Sequence, residues 1–200
     1  MDVKISIKKS KVFYIALIAF LIMMAMNFSD NFLRTAEVFR ANIEIEKVER
    51  QGYKNYNVLD GNFKFSLPST WNAWEQSFAG GEITYHLNFM SPNKKIHGFI
   101  QAWKLNKPLA QFLEESEKAA VGNVDFKFYN KKEIMVNRNK GFLIQYERPN
   151  DKGNLYRAYE GFLEDGDGNI YRASFYTEGK DWRQYYTIIF NRIIQSFRIK

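Results

Sequence analysis

Apolar positions along this chain change their spacing twice, and each regime implies a different element. Residues 12–28, VFYIALIAFLIMMAMNF, form a seventeen-residue run without a charge. As a helix the run is roughly 25 Å long, near the short end of what crosses a bilayer core. Over 29–50, Phe32, Leu33, Ala36, Phe39 and Ile43 fall at helical spacing among charges, with Asp30 available as a cap. This predicts a stalk helix. Residues 51–61, polar and turn-rich, read as a linker into the globular part. From Asn62 the period becomes two: Phe63, Phe65 and Leu67 share one face of a strand that Pro68 ends, and Ile83, Tyr85, Leu87 and Phe89 repeat it. Further strands are expected at 99–105, 126–129, 134–136, 142–147, 155–163 and 170–177. Short turns at 139–141 and 150–153 favour antiparallel hairpins.

Two more helices interrupt the strands. After Lys107 and Pro108, the residues Leu109, Phe112, Leu113 and Ala120 line one side, while Glu114, Glu115, Glu117 and Lys118 turn to water. Near the end, Trp182, Tyr185, Tyr186, Ile189, Phe190, Ile193, Ile194 and Phe197 keep the i, i+3, i+4 rhythm, with Asp181 and Gln184 as a capping box. Such a stripe suits packing on a sheet that must cover its apolar side. The expected fold class is α+β: an antiparallel sheet flanked by helices, preceded by one N-terminal transmembrane helix. The expected organisation is a basic tail (1–11), an anchor (12–28), a stalk and linker (29–61) and a single domain (62–200).

Charge assigns a side to the anchor. Lys4, Lys8, Lys9 and Lys11 precede it, and within 1–11 only Asp2 opposes them, so +3 of the net +7 belongs to the tail. By the positive-inside rule the N-terminus stays cytoplasmic and the rest is extracytoplasmic. A cleaved signal peptide would have a shorter apolar region and a small-x-small cleavage site; Ala25-Met26-Asn27 is a poor one. The remaining +4 is spread out, and the densest basic stretch, Lys131-Lys132 with Arg138 and Lys140, is interrupted by Glu133. That lacks the footprint of a nucleic-acid-binding protein.

Candidate chemistry narrows quickly. There is no cysteine, which removes disulfides, thiolate ligands and thiol nucleophiles. His86 and His97 are the two histidines; the first reads as a hydrogen-bonded structural residue and the second as an exposed turn residue. No Gly-x-Ser-x-Gly elbow or strand-to-helix phosphate loop occurs. The acids Glu160, Glu164, Asp165 and Asp167 cluster in sequence, which leaves a carboxylate hydrolase as an alternative. In the stretch DGDGN, Asp165, Asp167 and Asn169 match the first half of a calcium loop. Ile170 stands where glycine is required and Tyr176 where the twelfth-position carboxylate is, so a hairpin turn is the better reading. Trp71, Trp74, Tyr53 and Tyr56 lie in loop-like stretches and form a possible binding surface for sugars or peptides. The alternative is that the tryptophans fold back over the end of the sheet.

Two segments carry a family resemblance. A strand ending in Leu-Pro and followed by Trp, FKFSLPSTW (63–71), opens the domain, and an amphipathic helix ending IIQSFRIK (193–200) closes it. This arrangement resembles the PsbP-like family over about 62–200. The resemblance implies an α/β/α sandwich around an antiparallel sheet and a non-catalytic binding or assembly role, with no functional residue carried over. The expected function is a membrane-anchored extracytoplasmic domain, without cofactor, that binds or supports another component of the cell envelope. A receptor for a small ligand or lipid, using a pocket between sheet and helices, is a further alternative.

Overall fold

From Tyr53 onward, alternation of apolar and polar residues organises much of the chain into antiparallel strands. The structure, a computed structural model, describes residues 3–120, 122–150 and 152–200. It divides into two units, Met1–Lys47 and Val48–Lys200. The first belongs to helix α1 (Val3–Gln51), so the expected stalk is helical. Side chains of the basic tail and of most positions in 12–28 lie outside the described residues. Among the described residues no helix is long and apolar enough to cross a membrane. Those of the run that are described, such as Ile15, Ile18, Ile22 and Met23, are exposed.

The second unit holds two sheets rather than one. Strands β1 (Tyr53–Val58) and β2 (Phe63–Pro68) pair antiparallel, as Tyr56↔Phe65. Residues 51–61, expected as a linker, thus supply a strand. Its polar residues face solvent, while Tyr56 stacks on Phe65 with ring centroids 4.9 Å apart. The chain continues through β3 (Asn72–Glu75), β4 (Ile83–Met90), β5 (His97–Lys104), α2 (Leu109–Ala120), β6 (Phe128–Val136), β7 (Asn139–Pro149), β8 (Leu155–Glu164), β9 (Asn169–Glu178), α3 (Tyr186–Gln195) and β10 (Arg198–Ile199). Strand β10 pairs with β2, completing a three-stranded sheet. The other seven form one sheet in the order β3-β4-β5-β9-β8-β7-β6. The two strands expected at 126–129 and 134–136 are one continuous β6.

Alternation along β8 assigns the two faces of the large sheet. Tyr159, Gly161 and Leu163 face α3 and the small sheet, where Phe190 stacks on Phe175 with centroids 4.2 Å apart. Gly161 lets α3 approach: a Cβ there would sit 2.6 Å from Ile194 Cδ1. Phe162 faces the other way, against Leu109 and Leu113 of α2 and Ile144 of β7. The result is α+β, with α2 on one face of the sheet and α3 on the other.

Helix α3 is shorter than its apolar stripe. It begins at Tyr186 because residues 179–181 make a separate 3-10 turn and Trp182 leaves in an extended conformation. The expected capping box therefore does not form; Asp181 instead pairs with Lys95 at 2.7 Å.

Candidate functional site

Helix α2 is too short to cover its face of the sheet, and a pocket of about 590 Å³ opens beneath it. Phe112, Leu113, Ser116, Glu117 and Ala120, one face of α2, form the roof. Val124 and Phe126 of the following connection and Tyr129 of β6 close one side. The floor alternates along the strands: Ile144, Tyr146 and Arg148 on β7, Glu160 and Phe162 on β8, Arg172 on β9 and Trp103 on β5. Most of this lining is aromatic or aliphatic, and the volume lies within the range of small-molecule sites, roughly 300–1,000 Å³.

The charges in the floor are tied to one another. Glu160, only 4% exposed, meets Arg172 Nη2 at 2.7 Å. The same oxygen, Oε1, accepts the Tyr176 hydroxyl at 2.6 Å and the Tyr146 hydroxyl at 3.4 Å. Arg172 is further held over the rings of Phe99, Trp103 and Phe162, its guanidinium carbon 4.9, 5.5 and 4.9 Å from the centroids. Burial alone would lower the affinity of Arg172 for its proton; the facing Glu160 and Tyr176 outweigh it and hold the group above its ordinary range. Burial, reinforced by Glu160, likewise keeps the Tyr146 and Tyr176 hydroxyls protonated well above the usual tyrosine range.

At the pocket edge Glu117 accepts from Lys131 at 2.7 Å and from the Tyr129 hydroxyl. Expected to face water, it turns inward because Lys131 of β6 lies across from it. Arg148 differs from the other charges. Its Nε donates to the Tyr156 hydroxyl and its guanidinium lies 5.2 Å from that ring, and it has no carboxylate partner among the described residues. Two donors of the floor, Trp103 Nε1 and Arg172 Nε, are buried without an acceptor among the described residues.

A row of aromatic contacts crosses the same face of the sheet. It runs Phe78, His86, Phe99, Tyr176, Tyr156, Tyr146, Phe126 and Tyr129, each ring within 6.2 Å of the next. His86 within it is structural: Gln101 Nε2 donates to Nδ1, and Nε2 donates to Asn88 Oδ1, both at 3.0 Å.

The aromatics singled out from sequence lie elsewhere. Trp71 is 8% exposed and packs on Phe89, so it is core and not a contact surface. Tyr53 and Tyr56 are half-buried on β1; the Tyr53 hydroxyl donates to Glu49 Oε1, and burial, then Glu49, push its pKa up to about 12. Only Trp74, on the edge strand β3, is open at 44%. Of the clustered acids only Glu160 lines the pocket. Glu164 accepts the Leu109 amide at the start of α2. Asp165 is spent on the β8–β9 turn, its Oδ1 accepting the amides of Asp167 and Asn169 and its Oδ2 the Asn169 side chain and the Tyr171 hydroxyl. Gly168, at φ +80°, closes that turn. DGDGN is a hairpin turn.

No protein-family model matches the sequence, and no curated protein does. Solved structures are similar in fold. Cyanobacterial PsbP (CyanoP) from Synechocystis sp. PCC 6803 matches with a TM-score of 0.55 at 13% identity, over 75% of this chain and 94% of that one. A protein of Bacteroides thetaiotaomicron VPI-5482 matches at 0.52 with 16% identity over 75% of this chain and 49% of its own, so this chain spans about half its length. LpqN, involved in cell envelope biogenesis of Mycobacterium tuberculosis, matches at 0.51 with 10% identity, over 78% and 96%. The domain has a PsbP-like fold.

Proposed function

We propose that this chain is a membrane-tethered, extracytoplasmic binding domain of the cell envelope, without a catalytic centre, that holds a small molecule with a large apolar part in the pocket beneath α2. The observation that carries the reading is the chemistry of the pocket. Its walls are apolar, and both of its carboxylates, Glu117 and Glu160, are neutralised by cations and hydroxyls. A general acid or base works through a carboxyl group free to exchange a proton with substrate. The acids between 160 and 167 do not meet in a cleft, which counts against the hydrolase alternative.

The tether is supported by the uncharged run 12–28, by the lysines before it and by the exposed apolar side chains on that part of α1. The envelope assignment draws on the likeness in fold to LpqN. Two measurements test the whole. Protease added to intact cells, or to spheroplasts if an outer membrane intervenes, is expected to remove the domain; protection until the inner membrane is permeabilised would overturn the exported topology. Native mass spectrometry of the full chain released from nanodiscs is expected to retain a small-molecule adduct that Ala120→Trp, filling the pocket, removes. An adduct of equal abundance in both proteins would overturn the pocket assignment.

A further inference from the structure

We propose that the pocket's ligand is a single-chain amphiphile bearing one anionic group, its chain lying under α2 and its anion bound by Arg148. This rests on the reading of the pocket as a binding site and adds the class of molecule bound. Along β7 the lining changes character, from Ile144 beneath α2, through Tyr146, to Arg148. Ile144 and Arg148 are four residues apart on one face of a strand, about 13 Å. The pocket is therefore polarised over a length that suits an extended chain: at one end lie Ile144, Phe162 and the α2 face with a Glu160–Arg172 pair that neutralises itself, and at the other a guanidinium without a carboxylate among the described residues.

The charge count gives the sign of the head group. Glu117 is matched by Lys131 and Glu160 by Arg172, which among the described residues leaves Arg148 with a neutral hydroxyl as its hydrogen-bond partner. A guanidinium in a partly dry site gains most from an anion that accepts two of its hydrogen bonds, as a carboxylate or phosphate does. A cationic amphiphile would meet Arg148 with no free carboxylate to offset it. A neutral one would bind through its chain alone.

The test uses the full chain in phosphatidylcholine nanodiscs and two terminally brominated probes, dodecanoate and dodecanol, which quench nearby tryptophan. Subtracting the signal of Trp103→Phe isolates Trp103 in the pocket from the other tryptophans and from probe dissolved in lipid. Dodecanoate is expected to quench Trp103 at about tenfold lower concentration than dodecanol, the size of one added charge-assisted hydrogen bond. Arg148→Gln is expected to abolish that advantage while leaving dodecanol unchanged, which also shows the variant pocket intact. Inorganic phosphate alone is expected not to displace the probe; displacement would make the site an anion site without a chain. Equal quenching by acid and alcohol, or an advantage that survives Arg148→Gln, would overturn the anionic class and leave the pocket reading standing. Quenching by neither probe would overturn the pocket itself.

Discussion

Removing Arg172 should cost more than removing Glu160, although the two form one ion pair. In Arg172→Met the Glu160 carboxylate stays buried, with only the Tyr176 hydroxyl at 2.6 Å and the Tyr146 hydroxyl at 3.4 Å to solvate it. Breaking a buried pair from one side typically costs about 3–5 kcal/mol, because the remaining charge is uncompensated. At about 2–4 °C per kcal/mol for a chain of this size, that is a fall in midpoint of roughly 6–20 °C. In Glu160→Leu the guanidinium left behind still lies over the rings of Phe99, Trp103 and Phe162 and keeps a 17% exposed side chain. Ring contacts of that kind are worth about 0.5–2 kcal/mol each, so the loss should be smaller by at least about 1 kcal/mol. The double variant removes both charges and leaves the Tyr176 hydroxyl without its acceptor, a cost of about 1–3 kcal/mol, while the Tyr146 hydroxyl, held only at 3.4 Å, borders the open pocket. It should therefore be more stable than Arg172→Met alone. Urea denaturation followed by tryptophan emission measures all three. A loss below about 1 kcal/mol in Arg172→Met, or a double variant no better than that single one, would refute the assignment of Glu160 as a charge that depends on its partner.

Three further outcomes are expected. Gly98→Ala places a Cβ 1.9 Å from the Ser174 carbonyl oxygen, so the β5–β9 ladder has to part. Gly161→Ala meets side chain rather than backbone, Ile194 Cδ1 at 2.6 Å and Cγ1 at 2.9 Å, and should cost about 1–3 kcal/mol, so thermal denaturation should rank the first well below the second. Burial holds the Tyr159 hydroxyl, which donates to Asn191 at 2.6 Å, up to about 12. The unfolded chain then loses this proton first: stability is complete below about pH 10, falls as pH rises toward 12, and should fall less in Tyr159→Phe. Asp165→Ala removes the acceptor of four hydrogen bonds in the β8–β9 turn and should cost about 1–2 kcal/mol, largely recovered by Asp165→Asn, while added calcium leaves the wild-type midpoint unmoved.

What could be read from the sequence were the elements whose periodicity survives packing. The run 155–163, the DGDGN turn and helix α2 stand where alternation and turn chemistry put them. The stripe ending at Phe197 is apolar from Trp182, yet its first residues pack as an irregular turn, because apolar spacing marks what is buried and not what is helical. Strand β1 escaped notice because YKNYNV has one thin contact face, on Tyr56 and Phe65, and otherwise looks like a loop. The pocket was hidden for a different reason. Phe112, Ile144 and Phe162 occupy core positions by period, and which core positions a short helix leaves uncovered depends on a tertiary fit. One signal was present: Glu160 and Arg172 fall in the middle of two long strands whose residues are mostly buried. A charge there needs a partner, and each is the other's.

The order of the large sheet has a consequence for how the domain assembles. Strands β3, β4 and β5 form one meander and β6 to β9 another, each joined by sequence-adjacent pairings. They meet only where β5 pairs with β9, Lys104↔Asn169 through His97↔Tyr176, more than sixty residues apart. Non-local pairings of this kind limit folding rates, since the loop must close before any contact rewards it. Docking of the two meanders should therefore be the slow event, and Gly98 lies on that seam. Gln101 opposes Arg172 there as well, so Phe99 and Trp103 of β5 reach the Arg172 guanidinium only when the seam closes. Trp103 is then the last floor residue of the pocket to arrive, and a probe that senses it would report the closing of the seam.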